Sequence, residues 1–135
     1  NAKIIHCTRD SIETCFSIYK QNFAGSHSYS NNLLDLAHYY KEYESLMAYW
    51  KSLFGEQIYE ANYESMVNNS EEQISKLLNF CQLEDEEKCY TFHKNKRAVR
   101  TASVAQVRQP IYRDAIKASS RYEKQLLPLV EALNA

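Results

Sequence analysis

Apolar and polar positions change their period several times along the chain, and each change marks an element. Residues 3–7, Lys-Ile-Ile-His-Cys, form a short apolar run with two adjacent β-branched residues, which predicts a buried strand. Asp10 stands three places before Glu13 in the form of a capping box. Ile12, Cys15, Phe16, Tyr19 and Phe23 then recur at helical spacing, so the first unit reads as strand, short turn, helix, with Arg9 at the turn. Residues 24–32, rich in Gly, Ser and Asn, read as a loop.

A long amphipathic stripe follows, through Leu33, Leu36, Ala37, Tyr40, Leu46, Met47, Trp50 and Phe54, and Gly55 ends it. Its aromatic members could stack on bases, but the spacing favours a core-facing helix. Ile58 to Tyr63 alternates as a second strand, and Glu71 to Phe80 predicts another helix with Ile74, Leu77, Leu78 and Cys81 inward. Residues 84–93 suggest a short acidic helix and 94–111 a polar, basic loop. A last helix is predicted from about Arg113 to Leu133, with Ile116, Leu126, Leu127, Val130 and Leu133 on its apolar side and Pro128 shortening or kinking it.

Two strands separated by helices predict an α/β protein with a parallel sheet, yet two strands cannot make such a sheet alone. The chain of 135 residues opens on Asn1, almost directly on a strand. The expectation is therefore a mainly helical half of a larger α/β domain, completed by the remainder of the same polypeptide. With only 2 Gly and 2 Pro, long flexible linkers are excluded. No apolar run approaches the ~18 residues of a membrane span, and no charged-then-apolar leader opens the chain, so no membrane association is expected.

Cys7, Cys15, Cys81 and Cys89 never fall at zinc-like spacing, and His6, His27, His38 and His93 are equally scattered. Four small buried thiols in a reducing compartment, with no metal, are the expectation, which points to the cytoplasm. Charge is more informative. Residues 1–93 hold 7 Lys/Arg against 14 Asp/Glu, whereas residues 94–124 hold 9 against 2. The basic cluster of Lys94, Lys96, Arg97, Arg100, Arg108, Arg113, Lys117, Arg121 and Lys124 is either a solvated face or a site for a phosphorylated or sulfated ligand.

In open α/β sheets ligands sit at the carboxyl ends of the strands, where Arg9 stands. The following helix start offers N–H groups and a positive dipole end, Arg9 a bidentate cation, and Ser17, two turns along, a hydroxyl. The placement points to a phosphate.

Three blocks carry a family resemblance in the right order. IIHCTRDSIETCFSIYKQNFAGSH resembles the cofactor motif of sulfotransferases in which a strand-borne Arg and a helical Ser hold the 3′-phosphate of 3′-phosphoadenosine-5′-phosphosulfate. ANYESMVNNSEEQISKLLNFCQL and RTASVAQVRQPIYRDAIKASSRYEKQLLPL resemble that family's tyrosine-glutamate block and its C-terminal cofactor loop with closing helix. The subgroup most resembled is the bacterial sulfotransferases linked to tetratricopeptide repeats, akin to protein-tyrosine sulfotransferases.

The resemblance implies a three-layer P-loop-type fold, with this chain, 1–135, as its C-terminal part. It implies that Arg9 and Ser17 grip the 3′-phosphate and that Tyr63 contacts the adenosine, core packing being its alternative role. Ser103, Val104, Gln106, Val107, Arg108 and Gln109 would line the cofactor before Pro110. The family's basic residue early in the last helix falls on Ala118; either Lys117, one place before it, substitutes by a small shift, or that contact is lost. The motif's Pro after Arg-Asp is replaced by Ser11, which a first helical turn tolerates. The implied activity is transfer of a sulfuryl group to an acceptor hydroxyl, a tyrosine or other phenol, on a peptide or a small molecule. The Gly-rich 5′-phosphosulfate loop, general base and catalytic cation of such enzymes have no counterpart in this sequence, so no catalytic residue is assigned.

Two other readings stay open. A non-catalytic nucleotide-binding or interaction module would keep the same elements without the chemistry. A nucleic-acid module would use the basic stretch with Tyr90, Tyr112 and Tyr122, but a net charge of -1 argues against it.

Overall fold

The structure is a computed structural model that describes residues 2–21, 23, 27–95, 108–111 and 116–135. The expected strand–turn–helix opening is present as β1 (Ile4–Thr8) and α1 (Ser11–Lys20). A 3-10 turn at Ser28–Asn31 leads to α2 (Leu33–Phe54), then β2 (Ile58–Asn62), α3 (Tyr63–Asn68), α4 (Ser70–Cys81), α5 (Glu87–Tyr90) and α6 (Glu123–Asn134). The chain divides into two compact units, one of Asn1–Thr8 with Tyr59–Ala115, the other of Arg9–Ile58 with Ile116–Ala135.

In the first unit β1 and β2 pair as a parallel two-stranded sheet. His6 on β1 faces Glu60 on β2 at 3.8 Å. The Lys3 ammonium donates to the Phe80 carbonyl and lies over the Phe80 ring, 4.9 Å from its centroid, while Tyr59 packs on the same ring at 5.2 Å. Asn62 closes β2 and caps α3, its Oδ1 accepting from the Ser65 N–H at 2.8 Å. Val67 is the buried apolar side chain among this unit's described residues, and Ile4 and Ile5 on β1 are exposed. A parallel pair buries both faces in ordinary α/β proteins. Here the strand is apolar without being covered.

The second unit has the firmer core. Cys15 and Phe16 of α1, Leu36 and Ala37 of α2, and Leu126 and Leu129 of α6 pack together out of water. Asn32 starts α2 by accepting from the Leu34 and Asp35 N–H groups at 2.8 and 3.1 Å, the usual role of an Asn at a helix start. Twenty-two residues make α2 about 33 Å long, but its buried positions lie within its first two turns.

Besides the uncovered β1, four expectations change here. The predicted stripe of α2 is core only in its first half: Leu46, Trp50 and Phe54 are 53%, 40% and 40% exposed, because helices α1 and α6 cover only the N-terminal turns. The last helix begins at Glu123, behind a 3-10 segment Ala118–Tyr122, and it continues through Pro128; residues 112–115, where the expected helix starts, lie outside the described residues. In that register Leu129 is buried and Leu127 faces water. Of the four thiols only Cys15 is buried; Cys7 is exposed and Cys81 and Cys89 are half-buried, all unbridged.

Candidate functional site

The β1–α1 turn is built by Asp10 and Glu13. The Asp10 carboxylate accepts from the Glu13 N–H at 2.9 Å, and the Thr14 N–H bonds the Asp10 carbonyl at 2.9 Å to begin the helix. A capping box would send the Glu13 side chain back to the Asp10 N–H. Instead, Glu13 is itself buried, 5% exposed, and its two carboxylate oxygens point to different partners. Oε2 accepts from the Arg9 Nη2 at 3.4 Å, and Oε1 accepts from the Ser119 N–H at 2.9 Å and the Ser119 hydroxyl at 2.6 Å.

Arg9 is thereby held at its head by Glu13, and its carbonyl accepts from the Tyr40 hydroxyl at 3.4 Å. Its side chain is mostly withdrawn from water, 23% exposed, against 7% for Glu13. A carboxylate removed from water is costly unless charged or polar donors surround it, and one guanidinium with two hydrogen-bond donors does so here. The guanidinium presents five N–H groups in a rigid fork whose spacing fits carboxylate and phosphate oxygens alike.

Ser17 lies one further turn along α1, exposed. Glu13 and Ser17, four apart, are neighbours along α1, whereas Arg9 precedes the helix and meets Glu13 from the turn. The N–H groups at the helix start contribute less than the sequence suggests: Asp10, a carboxylate of the chain itself, already takes the one at Glu13.

Lys117 is exposed and adopts a left-handed backbone, φ 64°, two residues before Ser119. Such a conformation costs a non-glycine residue roughly 1 kcal/mol. It is held because the Lys117 carbonyl accepts from both the N–H and the hydroxyl of Ser120, at 3.2 and 2.8 Å. Lys117 therefore precedes the 3-10 segment rather than standing in the last helix.

Arg9, Ser17 and Lys117 belong to the second unit. Tyr63, half-buried at the start of α3, and the exposed Arg108 and Gln109 belong to the first. Ser103, Val104, Gln106 and Val107 lie outside the described residues. The Glu13–Ser119 link, 106 positions apart, was not foreseen, although the 9/13/17 spacing that places Glu13 between Arg9 and Ser17 was available in the sequence.

Behind the turn, burial pushes the Cys15 thiol up to about 12, with the nearby Glu44 and Asp10 carboxylates adding to it. The Tyr40 phenol is likewise pushed up to about 12, first by burial and then by Glu44, Tyr43, Cys15 and Asp10. Neither group is therefore an anion near neutral pH, and Cys15 is no nucleophile there. Among the described residues no group of three or more His, Cys, Asp or Glu side chains could hold a metal ion, and no helix is long and apolar enough to cross a membrane.

Residues 1–87, from β1 to the start of α5, match the model of the sulfotransferase family. The chain belongs to the sulfotransferase family. Arg9, Ser17 and Tyr63 fall inside the matched stretch; Arg108, Gln109 and Lys117 lie beyond it. The chain is also 40% identical over 136 residues to an uncharacterized protein of Aquifex aeolicus (strain VF5). That match takes in 98% of this sulfotransferase-family chain but 18% of the relative, so the chain spans less than a fifth of that protein's length.

Proposed function

We propose that this chain is the nucleotide-holding, C-terminal half of a sulfotransferase that uses 3′-phosphoadenosine-5′-phosphosulfate. In this reading the sulfuryl group passes to an acceptor hydroxyl, a tyrosine or other phenol. The reading rests above all on Arg9, set at the turn from β1 into α1 with its guanidinium fixed by a buried carboxylate, inside the stretch that matches the family. A cation withdrawn from bulk water and fixed in direction suits one phosphate better than a mobile surface charge does.

In this assignment Arg9 and Ser17 hold the 3′-phosphate and Tyr63 meets the adenosine. Ser103, Val104, Gln106, Val107, Arg108 and Gln109 line the nucleotide, and Lys117 adds a further cation. The rest of the polypeptide brings the Gly-rich loop, the general base and the remaining strands of a three-layer P-loop-type sheet. The proposal extends to a cytoplasmic, tetratricopeptide-linked bacterial enzyme. When bound, the nucleotide supplies an activated sulfuryl group. This chain's residues bind and orient it so that transfer is in line with the acceptor oxygen, which is where positioning lowers the barrier.

Titration calorimetry on the full-length protein tests the reading. Arg9→Ala is expected to weaken adenosine 3′,5′-bisphosphate by about ten- to a hundredfold, the worth of one charged hydrogen-bonding partner, and adenosine 5′-monophosphate far less. Equal losses for the two nucleotides would remove the 3′-phosphate role from Arg9. If the wild-type protein binds neither nucleotide, a non-catalytic interaction module becomes the better account.

A further inference from the structure

We propose that Glu13 is the positioning residue of the Arg9 site, fixing the guanidinium and tying it to the segment that carries Lys117. The inference rests on the 3′-phosphate reading of Arg9 and concerns a residue that reading does not use. Glu13 lies on the inner side of α1 beside the buried Cys15 and Phe16, where an apolar side chain would serve packing at lower cost. A carboxylate there is explained by what it holds.

Its two oxygens divide the work. Oε1 takes both the N–H and the hydroxyl of Ser119, and Oε2 takes the Arg9 Nη2. Held from one side by two donors of the chain, the carboxylate cannot swing, so the direction it imposes on the guanidinium is fixed. Ordering Arg9 before the ligand arrives removes a side-chain entropy cost from binding. Ser119 stands two residues after Lys117, whose left-handed backbone is bonded to Ser120. The same carboxylate thus sets one cation directly and fastens the stretch bearing another.

The sign of one substitution separates this from simple charge neutralisation. Glu13→Gln is nearly the same shape and keeps an oxygen for Ser119, but it loses the charge and turns an N–H₂ toward Arg9. By Coulomb's law alone, deleting a negative charge beside an anion site tightens anion binding. A positioning role predicts the reverse.

The experiment is calorimetric titration of the full-length protein with adenosine 3′,5′-bisphosphate and with adenosine 5′-monophosphate, for the wild type, Glu13→Gln, Glu13→Asp and Arg9→Ala. Glu13→Gln is expected to weaken the bisphosphate by about tenfold and leave the monophosphate unchanged, as loss of one orientation constraint would. Glu13→Asp, with the charge drawn back by one methylene, is expected to lose less, and it carries the test alone if Glu13→Gln does not fold. A bisphosphate affinity equal to or tighter than wild type in the variant tested overturns the proposal. So does an equal loss for both nucleotides, which marks a purely structural role. Arg9→Ala keeps the two readings apart: if it leaves selectivity for the bisphosphate intact, the 3′-phosphate reading itself fails. If Arg9→Ala abolishes that selectivity while the Glu13 variants keep it, only the role of Glu13 falls.

Discussion

The Tyr40 hydroxyl donates to the Arg9 carbonyl across 3.4 Å, joining α2 to the β1–α1 turn over 31 positions of sequence. The phenol's ionisation is pushed up to about 12, so it remains a donor throughout the neutral range. Together with Glu13, it holds Arg9 at both its backbone and its side chain. Tyr40→Phe keeps the ring in the core and deletes only the donor. The expected cost is about 1 kcal/mol of stability, read from urea denaturation, since one net hydrogen bond is worth about that much. A variant as stable as the wild type would mean that the contact is not made in solution.

Alkaline pH is expected to destabilise the fold. Cys15 is raised from 9.0 to about 12 and Tyr40 from 10.0 to about 12. Both are acids whose charged form the folded state disfavours, so the unfolded chain gives up these protons first. Between pH 9 and 12 the unfolded state holds fewer protons than the folded one, and stability falls as pH rises. Below pH 9 the contribution of both groups is fully present. Urea midpoints measured from pH 7 upward should be level at first and then decline. The double variant Cys15→Ala/Tyr40→Phe should decline less steeply, and an identical slope would count against these two groups as the cause.

The two leucines of α6 that flank Pro128 are expected to differ sharply. Leu129 is fully buried and Leu127 is 53% exposed. Leu129→Ala should cost about 2–5 kcal/mol through lost burial and the cavity left behind. Leu127→Ala should stay within about 0.5 kcal/mol of the wild type. Chemical denaturation of the two variants side by side tests the register of the helix, and comparable costs would contradict it.

Gln82 ends α4 with φ 58°, its N–H bonded to the Asn79 carbonyl and the Leu83 N–H to the Leu78 carbonyl. That helix end favours glycine, which reaches positive φ without a Cβ penalty. Gln82→Gly is expected to stabilise the protein by about 0.5–1 kcal/mol, relief of backbone strain outweighing the greater freedom of the unfolded chain. A lowered melting temperature would show that the Gln82 side chain contributes more than its backbone costs.

The elements governed by local period were legible in the sequence. The apolar run at residues 3–7 is β1 shifted by one, though exposed rather than buried, and the spacing from Ile12 is α1, which ends at Lys20, short of Phe23. What failed depended on partners distant in sequence. Leu46, Trp50 and Phe54 continue a helical stripe beyond the turns that α1 and α6 cover, and period alone cannot say where a partner stops. The apolar spacing carries a helix back through Ile116, yet Ser119 lies in a 3-10 segment and is bonded to Glu13. At the candidate site, the turn position of Arg9 was visible from strand and cap signals. The work of Glu13 was not, because a carboxylate three places after Asp already had a local explanation, and its actual partner lies 106 positions away.

The second unit is closed by its two most separated stretches: Leu126 and Leu129 complete a core begun by Cys15, Phe16, Leu36 and Ala37. On a ribosome adding about 5–20 residues per second, on the order of 5–20 seconds pass between synthesis of Ala37 and of Leu126. During that interval the inner faces of α1 and α2 have no α6 to cover them, and Glu13 has no Ser119 to bond. A nascent chain is therefore most exposed to wrong association through the same surfaces that later seat Arg9. The carboxylate that holds Arg9 is fastened only once Ser119 has been made.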